Sequence, residues 1–175
     1  MRGTTEIFQR CIILMVLCLS YSALMAQNEV ARERNSLRGI QAMGFTVNVE
    51  SNASIADYSE INVDSLIQMG QRTLKESGIS LIPDRKVQRS DEIPFLYLHI
   101  NSMDAGQGLV PFSLTLYFYQ PVKLMLNRDM QTSSITWESG SVGIVSYDKM
   151  GMIPDAAQNL IEEFIADFKQ INSSN

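Results

Sequence analysis

With 175 residues, 14 Lys+Arg against 19 Asp+Glu and a formal net charge of −5, the chain is about one domain in size and mildly acidic. No basic run exceeds Arg85-Lys86, so a phosphate-backbone footprint is missing and no nucleic-acid partner is expected. Its two cysteines, Cys11 and Cys18, both fall in the first apolar run. The rest of the chain therefore has no disulfide framework, catalytic thiolate or cysteine metal site.

Residues 1–26 read as a secretory signal peptide. Arg2 and Arg10 give a basic start, Cys11 to Leu19 an apolar run, and Ala26 a small residue at the expected cut. The run is too short to span a bilayer comfortably, since that takes roughly 20 apolar residues; an uncleaved membrane anchor is the rival reading, and no transmembrane segment is expected in the mature chain. Leu19-Ser20-Tyr21 after Cys18 continue the signal, which argues against lipid attachment there. The expected location is periplasmic or extracellular.

Residues 27–38 are polar, with Arg32-Glu33-Arg34 and no apolar stripe, and are expected as a mobile N-terminal arm or a short helix. Residues 39–175 are expected as a single α+β domain. Met43, Phe45, Val47 and Val49 alternate with Gly44, Thr46 and Asn48, the period of a half-buried strand. Asn62 or Asp64 caps a helix whose Val63, Leu66, Ile67, Gly70 and Leu74 share a face, and Gly78 ends it. Ile79 to Ile82 is a short strand stopped by Pro83, and Asp84 to Glu92 a charged loop.

A meander follows. Leu96, Leu98 and Ile100 face one way, and Phe95, Tyr97, His99 and Asn101 the other. Phe112, Leu114, Leu116 and Phe118 oppose Ser113, Thr115, Tyr117 and Tyr119 in the next strand. Asp104 to Gly108 makes the hairpin between them, and Pro121 implies an edge or bulge. Ser134 to Val145 is the last strand, broken at Gly140 and Gly143. In the C-terminal helix Ala157, Leu160, Ile161, Phe164, Ile165 and Phe168 recur at helical spacing. The order β-α-β-β-β-β-α implies an α+β two-layer sandwich: a mostly antiparallel four- to five-stranded sheet with two helices packed on one face.

Several segments together resemble a family of small exported bacterial proteins of unassigned function. They are Ser36-Leu-Arg-Gly-Ile40 before a Val-x-Val strand, Glu76-Ser-Gly-Ile79, Pro94-Phe-Leu-Tyr-Leu-His-Ile100 and Thr136-Trp-Glu-Ser-Gly-Ser-Val142. More distantly, the layout is similar to periplasmic envelope α+β domains such as the TolB amino-terminal domain. That resemblance implies a protein-binding adaptor.

Residues with chemistry are sparse. His99 is the single histidine, and a metal site on it would need further ligands. Gly140-Ser141-Val142-Gly143 is no nucleophile elbow, since it follows a strand without opening a helix. Glu162-Glu163 are helix neighbours that face apart, and Asp91-Glu92 lacks the spaced oxygens of a calcium loop. Asn52-Ala53-Ser54 matches a glycosylation pattern, read as an ordinary polar loop. No catalytic residue, metal or cofactor is expected. The functional signal is aromatic: Tyr97, His99, Tyr117 and Tyr119 lie opposite the apolar stripe, with Trp137 as a further candidate from the last strand. Rings offer contact area at low entropy cost. The expectation is an exported non-enzymatic domain that binds a protein or envelope partner through this sheet face. A small-ligand carrier or inhibitor-like domain is the alternative, and a hydrolase comes third.

Overall fold

The computed structural model describes residues 30–51, 61–87, 89–90, 92–127 and 129–173; the expected signal peptide, its cut and Asn52-Ala53-Ser54 lie outside them. The chain forms α1 (residues 30–36), β1 (Ala42–Ser51), α2 (Val63–Glu76), β2 (Ser80–Leu81), α3 (Asp84–Val87), β3 (Phe95–Ser102), β4 (Leu109–Lys123), β5 (Gln131–Ser146), a short 3-10 turn (Tyr147–Lys149) and α4 (Met152–Asn172). The strands make one five-stranded sheet in the order β2-β1-β3-β4-β5.

The sheet is mixed, where a mostly antiparallel one was expected. β1 runs parallel to both β2 and β3; only the β3-β4-β5 meander is antiparallel. The cause is the connection. A strand followed by a helix re-enters the sheet from the same end, and so pairs parallel. Helices among the described residues number four rather than two. β5 is also longer than expected and runs unbroken through Gly140 and Gly143.

One sheet face carries the core. Met43 and Phe45 of β1, Leu96, Leu98 and Ile100 of β3, and Val110, Leu114, Leu116 and Phe118 of β4 are all buried. Against them lie Leu66, Gly70 and Leu74 of α2 and Ile153, Ala157, Leu160, Ile161, Phe164 and Ile165 of α4. Asn62 caps α2, its Oδ1 accepting from the Ser65 amide at 3.0 Å. Gly78 follows that helix at φ +85, the left-handed turn that glycine takes without strain.

Of the two readings for residues 27–38, mobile arm or short helix, the described part from residue 30 takes the helix, and that helix is docked. Leu37, just past α1, is fully buried. Ser36 Oγ donates to the Thr136 carbonyl at 3.0 Å, and Arg34 Nε lies 2.6 Å from Asp167 Oδ1 on α4. Asn172 clamps the following turn: its Nδ2 donates to the Leu37 carbonyl at 3.0 Å and its Oδ1 accepts from the Gly39 amide at 2.8 Å.

Candidate functional site

The second sheet face is built by strand parity. Register sets Phe95 opposite Tyr119, Tyr97 opposite Tyr117 and His99 opposite Thr115. Their side chains therefore stand on one surface, pointing away from α2 and α4. All five rings are half-buried. Phe95 and Tyr119 stack with centroids 4.9 Å apart and planes 9° from parallel. Tyr97 stacks on Tyr117 at 6.3 Å and on His99 at 6.0 Å, and meets Tyr119 edge-on at 6.3 Å. Such pairs add to what area burial alone supplies, so the rings hold each other in place.

The ends of this surface differ. At one, His99 Nε2 lies 3.4 Å from Glu50 Oε1 on β1, and Asn48 Nδ2 donates to the same oxygen at 3.3 Å. At the other, α3 folds over the sheet. Gly44 leaves the space into which the Val87 side chain reaches. Beneath it a cleft of ≈ 350 Å³ opens, lined by Thr46, Asp84, Val87, Ser90, Phe95, Tyr119 and Ser133. Tyr119 joins the ring cluster to the cleft. Its phenol is pushed above its ordinary value by burial first, then by Tyr117, Tyr97 and Glu138.

The structure thus brings Tyr97, His99, Tyr117 and Tyr119 together, and adds Phe95. Trp137 does not join them. It is 3% exposed, on the helix side of β5, with its ring edge-on to Phe164 at 5.1 Å. Its Nε1 donates to Asp167 Oδ2 at 3.1 Å. A bulge is responsible. Phe118 pairs with Trp137 but Tyr119 with Ile135, so Thr136 is an inserted residue and the strand's parity inverts there. Among the described residues no group of three or more His, Cys, Asp or Glu is placed to hold a metal ion. No helix among them is long and apolar enough to cross a membrane.

The chain matches no family model and no curated protein. Among solved structures it is similar to the PelC dodecamer of Paraburkholderia phytofirmans, at 12% identity and a TM-score of 0.38, over 72% of this chain and 86% of that one. It is also similar to lipoprotein GNA1162 of Neisseria meningitidis, at 12% identity and a TM-score of 0.37, over 71% of this chain and 99% of that one. At this level no statement about function rests on either likeness.

Proposed function

We propose that this chain is an exported, non-enzymatic α+β domain that binds a protein or envelope partner through the sheet face bearing Phe95, Tyr97, His99, Tyr117 and Tyr119. The carrying observation is the ring cluster itself. Five rings stand half-buried on the face away from α2 and α4, where a merely solvated sheet needs none. Pre-stacked aromatics lose little freedom on binding and dominate interface energies. The N-terminal Arg2, Arg10 and apolar run support export.

The cleft beside Phe95 and Tyr119 favours a second reading, a small-ligand carrier, because its volume falls at the small end of ligand sites. Two variants separate the readings. Tyr97→Ser/Tyr117→Ser removes the centre of the cluster, and Ser133→Trp fills the cleft. Site-specific photo-crosslinking from Thr115 in the native host identifies what sits on the face. A partner lost with the tyrosine pair but kept with Ser133→Trp supports the protein-binding surface. The reverse assigns the function to the cleft. A partner kept by both variants sinks both readings.

A further inference from the structure

β5 ends the sheet, and its free edge pairs with no described strand. An edge of unpaired amides and carbonyls invites another strand, and proteins normally block it with lysine, proline or a covering element. Here the first half is covered. α1 lies beside it, with Ser36 on the Thr136 carbonyl and Arg32 and Glu33 flanking Ile135 to Glu138. The second half, Ser139-Gly-Ser-Val-Gly-Ile-Val-Ser146, holds no charge and no proline. Two large side chains on it, Val142 and Ile144, are 82% and 68% exposed on the outer face.

We propose that residues 140–146 pair antiparallel with the same residues of a second copy of this chain, about a two-fold axis through Gly143. Symmetry restricts the choice. Residues directly opposite each other in an antiparallel pair point to the same face. A two-fold axis perpendicular to the sheet must therefore pass through a residue, not between residues. Centred on Val142, the pairing sets Ile144 opposite Gly140; centred on Ile144, it sets Val142 opposite Ser146. Only Gly143 sets Val142 opposite Ile144 of the second copy, and Ile144 opposite its Val142. All four β-branched side chains then cover one another, the kind of cross-strand contact that stabilises sheets. The uncharged segment opposes no like charges. Pairing stops at Ser146 because Tyr147–Lys149 leaves the strand as a 3-10 turn, which keeps Glu138 outside the ladder. On the inner side Phe112 already lies over Gly143, 2.7 Å from where a Cβ would stand, so the inner face at the axis is filled from within the same copy. The resulting contact is smaller than the roughly 1,600 Å² of stable interfaces, so the dimer is weak and concentration-dependent.

The register makes a charge-pattern test specific. Val142→Lys/Ile144→Lys sets lysine opposite lysine across the axis, whereas Val142→Lys/Ile144→Glu sets each lysine opposite a glutamate. Sedimentation velocity on the chain as recovered after expression should show wild type passing from monomer to dimer as concentration rises. The double lysine variant should stay monomeric and the lysine–glutamate variant should dimerise. Hydrogen exchange on wild type is the check that needs no variant: the amides of residues 140–146 that point to the free edge, not those already paired with β4, should gain protection with concentration while those of α4 do not. A wild type that stays monomeric, including one that instead takes up an added strand peptide, overturns the proposal. So does a double lysine variant that still dimerises, or a lysine–glutamate variant that folds and remains monomeric.

Discussion

The Phe45 ring on β1 occupies the space that a Cβ on Gly70 of α2 would fill, with Ile161 Cδ1 of α4 closing the same site at 3.2 Å. Sheet and both long helices therefore meet at one glycine. Gly70→Ala sets two effects against each other. Alanine favours the helix interior by about 1 kcal/mol, while overpacking a close-packed site costs about 1–3 kcal/mol. The ring is buried, so overpacking takes the upper part of that range, about 2–3 kcal/mol, and a net destabilisation of about 1–2 kcal/mol is expected. Denaturant unfolding decides the sign. A more stable variant would show that α2 slides freely on the sheet.

Phe164 sits where α4 crosses β4 and β5. Its ring lies 5.4 Å from Phe118, 5.1 Å from Trp137 and 6.1 Å from Phe168, and it is fully buried. Phe164→Ala should lower stability by roughly 3–5 kcal/mol, the cost of truncating a buried aromatic in a core that cannot close the gap. Its neighbour Glu163 is exposed and accepts one surface hydrogen bond, from Ser139 at 2.9 Å. Glu163→Ala should stay within about 0.5 kcal/mol of wild type. Equal melting temperatures for the two would refute the face assigned to α4.

Asp167 ties three elements together, accepting from Trp137 Nε1 on β5 and pairing with Arg34 on α1. Asp167→Ala strips both partners at once and should cost about 1–3 kcal/mol, since groups left without partners in a partly buried site lose more than one hydrogen bond. Asp167→Asn keeps an oxygen for the indole and should cost less. Trp137 is the only tryptophan, so its emission reports directly. A red shift in Asp167→Ala, smaller or missing in Asp167→Asn, is the expected pattern. Unchanged emission in both would show that α1 and α4 are held elsewhere.

The elements legible in the sequence are those whose burial follows a period. The α4 stripe and the alternation from Leu96 to Ile100 and from Leu114 to Phe118 appear in the structure as read. The docking of α1 escaped, though a short helix was one of the two readings there, because polar groups, Ser36, Arg34 and Asn172, anchor it around one buried Leu37; no apolar stripe signals the contact. Trp137 escaped because one inserted residue, Thr136, inverts parity, and a bulge leaves no mark in alternating hydrophobicity. The parallel pairing of β1 with β3 is likewise tertiary information. Four of the candidate rings were readable from parity alone. Phe95 shares that parity, but its place on the cleft depends on Val87 reaching over Gly44, a contact between segments far apart in the chain.

Tyr119 gives the candidate surface a pH signature. Its phenol is raised above the ordinary value of 10.0, by burial first and by the neighbouring Tyr117, Tyr97 and Glu138 after that. Ionisation there puts a charge where desolvation and negative neighbours oppose it. The folded protein therefore keeps this proton at pH values where the unfolded chain has released its own. The native state binds more protons, so this contribution to stability is complete below about pH 10 and is lost as pH climbs past that value. Tyr119→Phe removes the titrating group and with it that share of the alkaline loss. Two measurements follow. In an ultraviolet phenolate titration, Tyr119→Phe should delete a component from the high-pH end of the wild-type curve. In denaturant unfolding, wild type should lose stability more steeply than Tyr119→Phe as the pH passes about 10. If the deleted component comes from the low-pH end, or wild type and variant fall in parallel, Tyr119 is freely solvated and the ring cluster is looser than the stacking distances imply.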